Sequence, residues 1–309
     1  MFEKAETMEV KKDSFRAWLL ATRPKTLTGA AVPVMIGLSL AYVDSQGYEG
    51  SVFNWTAAVL CFLFAFIMQI DANLINDFVD YAKGTDDRAT RLGPERACAQ
   101  GWVSIDRMKQ AIAGVTCLAC IVGLPLVAFG GLEMILVGLL CVLFCFLYTT
   151  HLSYMGLGDV LVLVFFGLVP VSITYYIQLH TFTVEVLVAS LACGLVIDAL
   201  LLVNNFRDRD TDRLAGKTTL VVRIGARPAL WCYLGVGVAA LLMGVVFLLA
   251  GHSMAALFPL VYFVLHVFTW LSMKRIWQGR ELNRCLGETA RNIFVYGLTV
   301  SLGVLLSMV

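Results

Sequence analysis

The chain has 309 residues, of which 59% are hydrophobic and only 15% charged, and its 23 Lys and Arg nearly balance 22 Asp and Glu at a net charge of +1. With a mean hydropathy of +0.81, this composition excludes a soluble globular domain, which carries about 25% charged residues. An all-α integral membrane protein is expected, with no nucleic-acid partner.

The first 26 residues are polar and charged, without a basic start leading into an apolar core, so they read as an N-terminal arm and not as a cleavable signal peptide. Windows of about twenty apolar residues, the length that crosses a hydrocarbon core, then fall near 27–44, 55–76, 109–129, 132–150, 158–178, 185–206, 228–250, 254–273 and 289–308. Nine spans put the two termini on opposite sides. With the N-terminus inside, all 23 Lys and Arg lie in the arm, in 77–108 with Lys109 at its edge, in 207–227 and in the stretch from 274 through Arg291, while the outer connections hold none. That asymmetry predicts an orientation with both long loops on the cytoplasmic side and the C-terminus outside; the cytoplasmic (inner) membrane is the expected location. Of the nine cysteines, seven fall inside spans and Cys98 and Cys285 face the reducing side, so free thiols are expected. Cys117-x-x-Cys120, within a lipid-embedded helix, reads as small apolar packing.

The second span ends in Asn73-Leu-Ile-Asn76-Asp77-Phe-Val-Asp80 and the sixth in Asn204-Asn205-Phe-Arg207-Asp208-Arg-Asp-Thr-Asp212. Both contain Asn-x-Phe-x-Asp, 128 residues apart, as a duplicated half would. At about 100° per residue, Gln69, Asn73, Asn76, Asp77 and Asp80 share one face of the second span, and Asn204, Asn205, Asp208 and Asp212 share one face of the sixth, with Asp198 deeper at its edge. Asp71 points away from the polar face, and the sequence offers no reason for it. A carboxylate at a bilayer centre costs roughly 2.5–3.5 kcal/mol, so such clusters need water, cations or both. Oxygen ligands without His or Cys suit Mg²⁺ or Mn²⁺. Gly84 stops the second span, leaving Asp86 in the loop beyond.

Cations interleave with these acids: Lys83, Arg88, Arg91 and Arg96 follow the first motif, and Arg207, Arg209, Arg213 and Lys217 surround the second. Acids that hold metal beside Arg forks and Lys points form a cage for a diphosphate. Inner loops attract basic residues whatever their function, which explains any single Arg equally well. Topology supplies no such reason for the acids.

These residues carry a resemblance to the UbiA superfamily of intramembrane prenyltransferases across nearly the whole chain. The first family motif, Asn-x-x-x-Asp-x-x-x-Asp, is matched by Asn76 and Asp80, with Gly84 in the third place and Asp86 as the nearest acid; the second is matched by Asp208 and Asp212 with Lys217-Thr218-Thr219. Within the superfamily the chain is most similar to the 1,4-dihydroxy-2-naphthoate polyprenyltransferases of menaquinone synthesis. The stretches that carry this are Arg23-Pro-Lys25-Thr-Leu27, Lys83-Gly-Thr-Asp86, Arg91-Leu-Gly-Pro-Glu-Arg96, Tyr154-Met-Gly-Leu-Gly-Asp159 and Leu202-Val-Asn204-Asn205-Phe-Arg207-Asp208. The wider spacing to Asp86 is typical of that subgroup.

The resemblance implies a nine-helix UbiA-like bundle forming one domain over 1–309, with a cytoplasmic cap from the 77–108 and 207–227 loops that orders on substrate. It implies Mg²⁺-dependent transfer from a polyprenyl diphosphate to 1,4-dihydroxy-2-naphthoate with decarboxylation, giving demethylmenaquinol, among membrane lipids. Asn76, Asp80, Asp208 and Asp212 are the expected catalytic set, and Asp77, Asp86 and Asn204 extend it as metal ligands. Lys83, Arg91, Arg96, Arg207 and Lys217 are expected on the diphosphate. Arg23, Lys25, Asn73, Tyr148, Tyr154 and Asn205 are expected around the acceptor and prenyl chain. Arg291 is a further candidate for the acceptor carboxylate, and Phe165, Phe166 and Tyr175 are further ring faces for an allylic cation, although packing explains each ring as well. The nearest alternative is another aromatic acceptor such as 4-hydroxybenzoate. A divalent-cation transporter would place acids around the midplane, and a CDP-alcohol phosphotransferase would carry its acids in one continuous run.

Overall fold

The computed structural model describes residues 10–47, 52–84 and 91–308. Among these residues nine helices are long and apolar enough to cross a membrane. They are span one, Thr28–Gly47; span two, Trp55–Ala82; span three, Ile105–Gly130; span four, Glu133–Leu152; span five, Gly158–Leu179; span six, Val184–Leu214; span seven, Ala226–Leu249; span eight, Ser253–Ile276; and span nine, Leu282–Leu306.

Spans two and six overrun their expected ends by several residues. The motif acids continue the helix beyond the apolar stretch, because nothing breaks it before Gly84 (φ 69°) and Gly216 (φ 72°), whose left-handed backbone closes each end. Residues 77–82 and 207–214 are therefore helix and not loop. At their opposite ends both spans are capped: Asn54 Oδ1 accepts the Ala57 amide at 2.9 Å, and Thr183 Oγ1 accepts the Val186 amide at 3.1 Å.

Spans one, six and nine form the buried centre, and spans three and four lie outside. Lipid supplies no hydrophobic drive between helices, so close approach depends on small residues. Gly167 of span five meets Gly194 of span six, where a Cβ on Gly167 would stand 2.7 Å from the Gly194 Cα. Asp71, fully buried, accepts the Thr116 hydroxyl at 2.7 Å and so ties span two to span three; its position off the polar face has a structural reason.

Two π-helical turns, Tyr148–Leu152 and Leu163–Leu168, interrupt spans four and five. The extra residue per turn re-aims side chains, here Tyr148, Phe165 and Phe166. At the far end of the bundle, Tyr175 donates to Asp44 Oδ2 at 2.5 Å, and His252 lies 2.6 Å from Ser307 Oγ and 3.5 Å from Glu185 Oε1. Tyr175 thus bonds at the end of the bundle opposite the motif acids.

Candidate active site

The polar ends of spans two and six face each other across a chamber of about 260 Å³. Asn76 and Asp80 line one wall; Asn204, Asn205, Asp208 and Asp212 line the other. Arg91, Arg96, Arg207 and Lys217 line it too, with Leu92 and Pro94 of the connecting loop.

Each motif acid is paired. Arg96 Nη2 donates to Asn76 Oδ1 at 3.2 Å and reaches Asp80 Oδ2 at 3.4 Å, with both Arg96 and Asp80 buried. Arg207 forks onto Asp208, Nε to Oδ1 at 2.8 Å and Nη2 to Oδ2 at 2.5 Å. Lys217 Nζ stands 3.8 Å from Asp212. Buried charges demand such partners. Burial pushes the Arg91 guanidinium down to about 10, with the neighbouring charge of Arg23 adding to the fall and Asp208 opposing it.

The fit to a hard divalent cation rests on the donor set: facing carboxylate and amide oxygens, with no sulfur or imidazole on the chamber wall. Among the described residues no three acids, histidines or cysteines converge. The motif carboxylates pair with cations of the chain.

Asp77 departs from its expected role. It is 1% exposed and accepts the backbone amides of Ala97 at 2.8 Å and Cys98 at 3.0 Å, so it anchors the loop that carries Arg96 and does not line the chamber. One residue along the helix from Asn76 turns it from the cavity to the loop. Asp86 lies outside the described residues.

Arg23, in the left-handed region at φ 50°, lines the chamber, and burial lowers its pKa against the pull of Asp77 and Asp80. Its turn is pinned by Asn73, whose Nδ2 donates to Thr22 O and Thr26 Oγ1, both at 2.9 Å. The same turn leaves Lys25 exposed and outside the chamber, and Arg291 is likewise exposed. Lys83 donates to the carbonyl of Thr150 at 2.5 Å and sits 4.0 Å from the Tyr154 ring centroid, with Lys217 at 4.9 Å. Tyr154 and Lys83 therefore stand outside the chamber lining, with the ring holding both lysines.

Asn283, at the start of span nine, escaped the sequence reading. Its Oδ1 accepts from Arg207 Nη1 at 2.8 Å while its Nδ2 donates to Leu92 O at 2.8 Å. No motif marks it, because its partners are 76 and 191 residues away.

A second, apolar chamber of about 570 Å³ lies deeper, lined by Phe165, Phe166, Met134 and Val162 among others. Thr26, Asn76, Tyr148, Leu201 and Asn204 line both chambers, so they form the junction. Asn73 belongs to the apolar side and Asn205 to the polar side.

Residues 30–285 match the model of the UbiA prenyltransferase family. The 1,4-dihydroxy-2-naphthoate octaprenyltransferase of Escherichia coli is 38% identical over 68% of this chain and 69% of its own length, and that of Mycobacterium leprae is 31% identical over 93% and 96%. Among solved structures, a UbiA homologue from Aeropyrum pernix superimposes with a TM-score of 0.68 at 16% identity, covering 93% of this chain and 99% of that one. A UbiA homologue from Archaeoglobus fulgidus bound to DMAPP and Mg²⁺ gives 0.62 at 14% identity, covering 92% and 98%. Two facing motif walls, a polar chamber opening onto an apolar one, and these likenesses make the chain a member of the UbiA prenyltransferase family.

Proposed function

We propose that this chain is the prenyltransferase that attaches a polyprenyl group to 1,4-dihydroxy-2-naphthoate with loss of the carboxylate, giving demethylmenaquinol. It acts as one domain over residues 1–309 in the cytoplasmic (inner) membrane, with the arm and motif ends inside. The observation that carries the reading is the two-chamber cavity: a charged chamber for a diphosphate meets an apolar chamber for an isoprenoid tail at five shared residues. The names of the relatives from Escherichia coli and Mycobacterium leprae support the naphthoate acceptor.

Asn76, Asp80, Asn204, Asp208 and Asp212 would hold Mg²⁺, which when bound supplies positive charge that neutralises the diphosphate; Asp86 remains a proposed further ligand. Arg96, Arg207 and Lys217, which pair with Asp80, Asp208 and Asp212, would with Arg91 donate N–H bonds to the leaving diphosphate. Lys83, held with Lys217 over Tyr154, completes the anion site at the rim, and Arg23 offers a guanidinium to the acceptor carboxylate. Closure of the loops that follow spans two and six over bound substrate would exclude water.

At the junction the ring faces of Tyr148, Phe165 and Phe166 stabilise the allylic cation, and the apolar wall keeps water from it. Leu124, Ile135 and Leu139 line the apolar chamber yet are 65%, 53% and 62% exposed, which supports an opening to lipid between spans three and four for the isoprenoid tail.

The test is prenyl transfer by detergent-solubilised protein with a polyprenyl diphosphate and either dihydroxynaphthoate or 4-hydroxybenzoate, with and without Mg²⁺. A Mg²⁺-dependent, decarboxylated naphthoquinol is the expected product. Product from 4-hydroxybenzoate alone would move the acceptor, and none from either by folded protein would overturn the reading.

A further inference from the structure

Two further acids, Asp159 of span five and Asp198 of span six, lie apart from the motif acids, and the first of them lines the polar chamber. Asp159 stands at the start of span five, and its Oδ1 is buried without a hydrogen-bond partner. Asp198 of span six is 5% exposed, and its Oδ1 is also buried without a partner. Spans five and six meet here: a Cβ on Gly158, next to Asp159, would stand 3.2 Å from Leu201 Cδ2, about one helical turn from Asp198. The Cβ position of Gly158, next to Asp159, is 3.8 Å from Tyr148 Oη.

Buried carboxyl oxygens call for a donor, and the chemistry of the site narrows which. The diphosphate and the acceptor carboxylate are anions and are repelled. The chamber cations Arg96, Arg207 and Lys217 are engaged by Asp80, Asp208 and Asp212, and Arg23 and Arg91 donate to the carbonyls of Asn73 and Pro94. The pair lacks a third ligand for a metal among the described residues. A neutral O–H group remains, and the junction is where an aromatic acceptor must meet the first carbon of the prenyl chain.

Resting on the proposed reaction, we propose that Asp159 is a catalytic base that binds a ring hydroxyl of the aromatic acceptor and takes its proton, with Asp198 as the positioning residue behind it. As the hydroxyl proton passes to Asp159, the ring carbon forms its bond to the prenyl carbon, and the electron pair of the breaking C–O bond leaves with the diphosphate. Loss of carbon dioxide returns an electron pair to the ring. The proton then goes back from Asp159 to the ring oxygen, so the base is restored.

The experiment compares wild type, Asp159→Asn and Asp198→Asn in steady-state prenyl transfer to dihydroxynaphthoate, with pyrophosphate binding in Mg²⁺ as the check on fold and donor site. Asp159→Asn should lose about 100-fold in kcat, the scale of general-base catalysis, with donor KM within twofold. Asp198→Asn should lose about 10-fold and displace the acidic limb of the kcat profile. Competition by 2-naphthoate, which lacks the hydroxyls, adds a readout on wild type itself: it should bind at least about 10-fold more weakly than the dihydroxy acid, because a site built for a hydroxyl rejects its absence. Wild-type turnover in Asp159→Asn, a loss confined to donor KM, or equal binding of 2-naphthoate would overturn the assignment. An inactive wild type would overturn the acceptor reading on which it rests.

Discussion

The two motif walls share Asn-x-Phe-x-Asp yet obtain their cations differently. At the second wall the partner is the neighbour in sequence, Arg207 on Asp208, and Asn283 of span nine steadies its guanidinium. At the first wall the partner, Arg96, arrives from a loop 16 residues beyond Asp80, and that loop is tied down by Asp77. Equivalent acids thus depend on unequal supports. One wall carries its counter-charge on the same helix, while the other depends on a loop being anchored.

The largest expected effect removes the acids themselves: Asp80→Ala and Asp208→Ala should each cost on the order of 10³-fold in prenyl-transfer turnover, checked on protein that elutes as folded. Equal turnover in both variants and wild type would break the idea that the walls act together. Next come the cations. Arg207→Ala leaves Asp208 without its fork in a site where the Arg207 side chain is 2% exposed, and removing one member of such a pair costs about 3–5 kcal/mol; thermal melting should register it. Arg96→Ala should instead act chiefly on donor KM, because Asp77 still holds the loop through the Ala97 and Cys98 amides.

Smaller effects sharpen the difference between the supports. Asn283→Ala leaves the Leu92 carbonyl and one Arg207 N–H unpaired, a loss of about 1–3 kcal/mol, and should raise donor KM about 10-fold while Gln in its place restores part of it. Asp77→Asn should do the corresponding thing at the first wall, with a rise in the Mg²⁺ concentration needed for half-maximal rate.

The smallest effect is a pH readout of the same anchor. Burial and then the Asp77 carboxylate push the Cys98 thiol up to about 12. Its thiolate, the reactive form, is therefore scarce below that pH, and maleimide modification of Cys98 followed by mass spectrometry should be slow at pH 8. Asp77→Asn removes the negative neighbour, lowers the pKa and should speed the reaction. An unchanged rate would show that Asp77 does not control this loop.

Much of this protein was legible in its residues. Apolar length set nine spans, since only helices satisfy the backbone in lipid, and the spacing of Asn76, Asp80, Asn204, Asp208 and Asp212 put them on two helix faces because helical periodicity is local. The tertiary structure decided what depends on distant partners. Asp77 turned from ligand to loop anchor, since one residue of helix rotation separates cavity from loop, and Lys25 was turned outward by the Arg23 turn that Asn73 pins. Asn283 entered the site from 76 residues away. Asp159 and Asp198 acquired significance only when packing buried an oxygen of each without a partner. Periodicity reports which face a residue occupies; only packing decides what that face meets.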